Sequence, residues 1–143
     1  VAVDLLSISP LIFRGVRRKL LKTTLADIHL SITPLHFEII SLLEAEGTLH
    51  VAEIGERLQI ARAQMTQLLD KLVDLHIVTR EMDTADRRTL NITLTGQGRD
   101  MFAEHKNSIT SAVRETMSRL TDEDLDDLSD SLRKLRDILS KLQ

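Results

Sequence analysis

Between Val51 and Leu94 the apolar residues change their period twice, and that change limits the fold more than any other feature of the chain. Val51, Ile54 and Leu58 define a short helix, Ile60 and Ala61 make a tight connection, and Met65, Leu68, Leu69 and Leu72 mark a longer helix reaching about Leu75. Ile77 to Met82 and Thr89 to Leu94 are then rich in β-branched residues and flank the polar hexapeptide Asp83-Thr84-Ala85-Asp86-Arg87-Arg88, the pattern of a two-stranded hairpin with a charged tip. A short helix, a turn of about three residues, a second helix and a hairpin make a winged helix-turn-helix.

The flanking segments read as helices. The only two prolines, Pro10 and Pro34, each follow a Ser or Thr, which is a helix-start signal. From Ser9, Leu11, Ile12, Val16, Leu20 and Leu21 recur at helical spacing among Arg14, Arg17, Arg18, Lys19 and Lys22, predicting an amphipathic first helix. Thr33 and Pro34 open a second, with Leu35, Ile39, Leu42 and Leu43 on one face, Phe37 and Ile40 beside it, and Gly47 ending it. Leu49 fits a stub of strand, and Glu53, three residues after His50, completes a capping box. Thr95 caps a long helix carrying Phe102, His105, Ile109, Ala112, Val113, Thr116 and Leu120. Thr121 with Asp124 forms a capping box for the last helix, where Leu125, Leu128, Leu132, Leu135, Leu139 and Leu142 alternate spacings of three and four. Such a seam serves internal packing or an oligomer interface. With one winged region to cover, the apolar stripes at both chain ends leave excess hydrophobic surface, which favours a dimer. The expected architecture is mainly α with a small β-hairpin wing: an N-terminal dimerisation helix over 1–32, the winged region over 33–98 and C-terminal dimerisation helices over 99–143.

Several function classes find no support. The 143 residues suit one domain, no run approaches the ~18 apolar residues of a membrane span, and the N-terminus lacks a secretory pattern, so a cytoplasmic protein with no membrane partner is expected. Zero Cys excludes disulfides and thiolate zinc sites. The three aromatics, Phe13, Phe37 and Phe102, are too few for a platform that stacks single-stranded bases. None of His29, His36, His50, His76 and His105 pairs with another at helical spacing, so no metal is expected. Gly96-Gln97-Gly98 lacks the next small residue of a dinucleotide fingerprint, which is Met101, and reads as helix-start packing. No nucleophile with its base, phosphate loop or carboxylate pair is present, so neither an enzyme nor a cofactor is expected.

Four stretches together resemble the multiple antibiotic resistance regulator (MarR) family of winged-helix transcription factors. They are Ile32-Thr33-Pro34-Leu35-His36-Phe37, Glu53-Ile54-Gly55-Glu56-Arg57-Leu58-Gln59-Ile60, the wing Asp83 to Arg88, and Leu94-Thr95-Gly96-Gln97-Gly98. The similarity runs from about Leu11 to the C-terminus. It implies a homodimer that binds palindromic double-stranded DNA and releases it when a small molecule, often phenolic, fills a cleft between the dimerisation and DNA-binding regions. Such a cleft would be lined by Phe13, Arg17, His36 and Ile40. Three positions depart from the family pattern. Ala61 stands where Ser commonly caps the recognition helix, His76 where a left-handed Gly is usual, and Ala85 where the wing often has Arg, which leaves Arg87 as the expected minor-groove finger.

With Met65, Leu68, Leu69 and Leu72 committed to the core, Arg62, Ala63, Gln64, Thr66 and Gln67 are left outward on the recognition helix. Gln pairs bidentately with adenine, Arg with guanine, and the Ala or Thr methyl meets the thymine methyl. No carboxylate lies between Arg57 and Asp70. In the wing, Asp83 and Arg88 are expected to pair across the hairpin base while Arg87 enters the minor groove. The competing reading is a winged-helix protein-interaction module that does not bind DNA. The net charge of −3, taken alone, favours it, yet Asp122, Glu123, Asp124, Asp126, Asp127 and Asp130 crowd the start of the last helix, and without them the remainder is +3. Residues 51–94 hold six Lys/Arg against seven Asp/Glu, so DNA binding must rest on a few placed arginines, with modest affinity and strong salt sensitivity.

Overall fold

The computed structural model describes residues 31–142 together with Val3, Asp4, residues 6–8 and Pro10. Apart from Pro10, the expected helix from Ser9 to Lys22 lies outside the described residues. The chain forms two compact units, Leu20–Ser108 and Val1–Lys19 with Ile109–Gln143.

The first unit contains α1 (Pro34–Glu46), β1 (Leu49–His50), α2 (Val51–Leu58), α3 (Arg62–Asp74), β2 (Val78–Met82), β3 (Leu90–Leu94) and the first turns of α4 (Gly96–Met117). The fold is mainly α with one small antiparallel sheet. That sheet has three strands in the order β1-β3-β2, so the expected two-stranded hairpin gains the stub at Leu49, which pairs opposite Ile92. In the hairpin itself Val78 faces Leu94 and Met82 faces Leu90. The core is built from Ile39 and Ile40 of α1, Ile54 of α2, Met65, Leu69 and Leu72 of α3, and Val78 and Ile92 of the sheet, all fully buried. Each such side chain contributes about 1.5–3 kcal/mol of transfer free energy. The boundary between units falls inside α4, later than residue 98, because Met101 and His105 in its first turns are buried with the winged unit, His105 stacked on Phe37 at 4.0 Å.

Both ends of the helix-turn-helix are closed by a residue other than glycine in left-handed backbone. Gln59 has φ 53, with its N–H on Glu56 O and that of Ile60 on Gly55 O; His76 has φ 58, with its N–H on Val73 O and that of Ile77 on Leu72 O. This two-bond closure satisfies the last carbonyls of α2 and α3. The left-handed turn expected at His76 is present, whereas the one at Gln59 has no glycine-like signal in the sequence. Thr95 then fixes α4 to the end of α3: its hydroxyl donates to His76 O (2.7 Å) and accepts from Gly98 N (2.9 Å), and its N–H donates to Ile77 O (3.0 Å).

The second unit holds α5 (Asp122–Leu139), ending in a 3-10 turn at Ser140–Leu142. The expected capping box is formed, with Asp124 N donating to Thr121 Oγ1 (3.1 Å) and Thr121 N donating to Asp124 Oδ2 (3.1 Å). The Thr121 hydroxyl and then its N–H hold the Asp124 carboxyl below the ordinary aspartate range. None of the residues of α5 is buried. Leu132, Ile138, Leu139 and Leu142 are exposed on it, as are Val3, Leu6 and Ile8 near the N-terminus.

Gly98 approaches the turn so closely that an added Cβ would lie 2.2 Å from Ile77 O, whereas one on Gly96 meets nothing within 4 Å. Gly98→Ala is therefore expected to lower unfolding stability by about 2–3 kcal/mol in urea titration, and Gly96→Ala to leave it unchanged or slightly raised.

Candidate nucleic-acid interface

Helix α3 separates its residues cleanly. Met65, Leu68, Leu69 and Leu72 are buried, while Arg62, Ala63, Gln64, Thr66 and Gln67 are all exposed, so the structure brings the five predicted readout residues onto one open face at the start of the helix. Thr66 Oγ1 donates to Arg62 O at 3.3 Å, which turns the hydroxyl to the backbone and leaves the methyl outward. Ala61 provides no side-chain cap. The first-turn N–H groups thus remain open to an anion at the positive end of the helix dipole.

The wing loop is organised by Asp83. Its Oδ1 accepts from Ala85 N (2.7 Å) and Asp86 N (3.1 Å), and its Oδ2 accepts from Asn91 Nδ2 (3.2 Å) and lies 3.9 Å from His50 Nε2. The expected Asp83–Arg88 pair is not formed. The carboxylate is held instead by two backbone N–H groups of the loop and the Asn91 amide of β3, and Arg88 contributes its backbone N–H to Asp86 Oδ1 (3.0 Å). Arg87 and Arg88 are both exposed, and among the described residues neither side chain has an ion-pair partner. The wing therefore offers two free guanidinium groups where the sequence suggested one.

A cleft of about 520 Å³ is lined by His50, Gly55 and Glu56 at α2, by Arg62, Met65 and Thr66 at the start of α3, and by Arg88, Thr89 and Leu90 at the wing. Arg62 and Arg88 reach it from different elements alongside the exposed Glu56, so two cations and one carboxylate meet a phosphate backbone that runs between recognition helix and wing. Sequence reasoning missed two ion pairs that join elements of the same unit. Arg80 of β2 donates from Nη2 to Asp70 Oδ1 of α3 at 2.7 Å, and Arg57 of α2 pairs with Glu46 at the end of α1.

The residues expected to line an effector cleft are not brought together by what is described. Phe13 and Arg17 lie outside the described residues, and Ile40 is fully enclosed in the core. His36 is 5% exposed, and its Nδ1 accepts from Thr33 N at 3.0 Å. That bond leaves the proton of the neutral ring on Nε2, which has no hydrogen-bond partner among the described residues. Burial first, and then the Lys71 ammonium, lowers its pKa. Among the described residues no three His, Asp or Glu side chains gather as a metal site, and no helix is long and apolar enough to cross a membrane.

Residues 30–89 match the family model described as MarR family. The HTH-type transcriptional repressor MdtR of Bacillus subtilis is 29% identical over 94 residues, covering 66% of this chain; the chain spans 61% of MdtR's length. Among solved structures, a MarR family protein from Bacillus stearothermophilus superposes with a TM-score of 0.76 at 22% identity, covering 97% of this chain and 92% of that one. The YusO protein from Bacillus subtilis gives 0.71 at 25% identity, covering 96% and 98%. Curated relatives carry the names of transcriptional regulators, not of enzymes.

The Ala85 N–H first, then the Asp86 N–H and the Asn91 amide, hold the Asp83 carboxyl below the ordinary aspartate range. A lowered carboxyl supports its contacts above the ordinary value and loses them only as pH falls through the lowered one. The Ala85 and Asp86 amide resonances should therefore titrate with a midpoint below ~3.9, the free aspartate value. Asp83→Ala should speed hydrogen exchange at these amides and leave α3 protected. A midpoint at or above the free value would contradict the geometry.

Proposed function

We propose that this chain, whose residues 30–89 match the MarR family model, is a member of that family of winged helix-turn-helix transcription regulators: a homodimeric, sequence-specific binder of double-stranded DNA, a cytoplasmic repressor relieved by a small molecule. The observation that carries the reading is the exposed row Arg62, Ala63, Gln64, Thr66 and Gln67 directly above a fully committed core row, with Arg87 and Arg88 free on the adjoining wing. Side chains of these types at the start of a recognition helix read base edges in the major groove, and a wing arginine suits the narrow, negative minor groove. Repression is supported by the name of MdtR.

Dimerisation is supported by α5, an 18-residue helix without one buried side chain and with Leu132, Ile138 and Leu139 exposed. A second copy that covers these residues relates two recognition helices by a two-fold axis, so the operator is palindromic with half-sites about one helical turn, ~34 Å, apart. Relief by a small molecule is supported by His36. A phenolate or carboxylate oxygen would satisfy its buried Nε2–H, which otherwise costs free energy as an orphaned donor.

The purified protein should retard fragments of its own upstream DNA at low salt, with affinity falling steeply as salt rises. Arg62→Ala and Arg87→Ala should each weaken binding about 10-fold or more. Leu132→Asp with Leu139→Asp should sediment as a monomer and lose palindrome binding. Failure of the wild-type protein to bind any such fragment, or unchanged binding in both arginine variants, would overturn the reading and favour a protein partner. Addition of a phenolic carboxylate should release the DNA, and His36→Leu should blunt that release.

A further inference from the structure

Asp70 is the acidic residue of α3 nearest the readout row, one turn beyond Thr66 on the same exposed face. A free carboxylate there would repel the phosphates that Arg62 and the helix start attract, and at that range salt screens it incompletely. It is not free. Arg80 Nη2 donates to its Oδ1 at 2.7 Å, with the Arg80 side chain only 28% exposed against 54% for Asp70. The Nε of Arg80 is buried and without a partner among the described residues, and the guanidinium meets Asp70 through Nη2. A charge that had evolved to reach DNA would stand out in solvent, as Arg87 and Arg88 do.

We propose that Arg80 is a positioning residue for DNA binding: by pairing with Asp70 it cancels the carboxylate beside the readout face, without touching DNA itself. The proposal rests on the DNA-binding reading above.

The test compares wild type, Arg80→Ala, Asp70→Asn and Asp70→Asn/Arg80→Ala on one upstream fragment at fixed salt, with thermal melting of each protein alongside. Arg80→Ala should weaken binding about 10-fold, Asp70→Asn should stay within about 3-fold of wild type, and the double variant should recover to within about 3-fold. Arg80→Lys, which keeps the cation, should also stay within about 3-fold. Recovery in the double variant is the readout that neither a lost fold nor a direct phosphate contact would produce. Should Arg80→Ala not fold, Arg80→Gln and Asp70→Asn/Arg80→Gln carry the same comparison. Wild-type affinity in Arg80→Ala, or a double variant as weak as the single, overturns the proposal while leaving DNA binding intact. A wild-type protein that binds no DNA overturns both.

Discussion

The carbonyl of Ile77 is the point on which the winged unit closes. It accepts from the Thr95 N–H at 3.0 Å and lies 3.1 Å from the Thr95 hydroxyl, and the missing Cβ of Gly98 leaves the space for that approach. The N–H of the same residue ends α3 by donating to Leu72 O. One buried residue thus terminates the recognition helix, begins the wing hairpin and docks the long helix that follows. The directions of recognition helix and wing are therefore not independent, and a displacement at Ile77 reaches both sets of predicted DNA contacts.

Most of this organisation was legible because it is local. The period of 3.6 fixed which residues of α3 are buried, and the capping signals at Thr33, Thr95 and Thr121 mark helix starts that are present in the structure. Comparison with the family pattern at His76 pointed to a left-handed residue, and φ 58 is found there. What escaped the sequence depends on pairings between distant elements. The pairing of the Leu49 stub with β3, the Asp70–Arg80 bridge and the Arg57–Glu46 bridge join residues with no shared periodicity. The misplaced Asp83–Arg88 pair has a different origin. Opposite charges at the ends of a hairpin loop invite a bridge, but backbone N–H groups two and three residues away reach the carboxylate first. Gln59 shows the limit of propensity, since a long polar side chain was accepted where glycine would avoid steric cost.

Charge counting alone misjudges the interface. Residues 51–94 are slightly acidic in sum, yet Arg57, Arg80 and the carboxylates Glu46, Asp70 and Asp83 are engaged within the fold. What lines the cleft is Arg62 on one side and Arg88 on the other, neither with an ion-pair partner among the described residues, together with Glu56, while Arg87 stands exposed on the adjoining wing. Placement, and not total charge, gives the face its sign. The solvent-exposed pairs on α5, such as Arg133 with Asp130, are of the kind that contributes little to stability.

The short strand β1 has a consequence for the order in which the unit assembles. Every hydrogen bond that shapes the wing loop is made between residues 83 and 91, and a hairpin of this kind closes within microseconds. Leu49, by contrast, must find Ile92 across ~40 intervening residues, a loop whose closure entropy has to be met before the contact returns anything. Both α2 and α3 lie inside that loop. Pairing of β1 with β3 therefore ties together the ends of the segment that carries both helices of the helix-turn-helix, whereas the wing loop is held by contacts within itself.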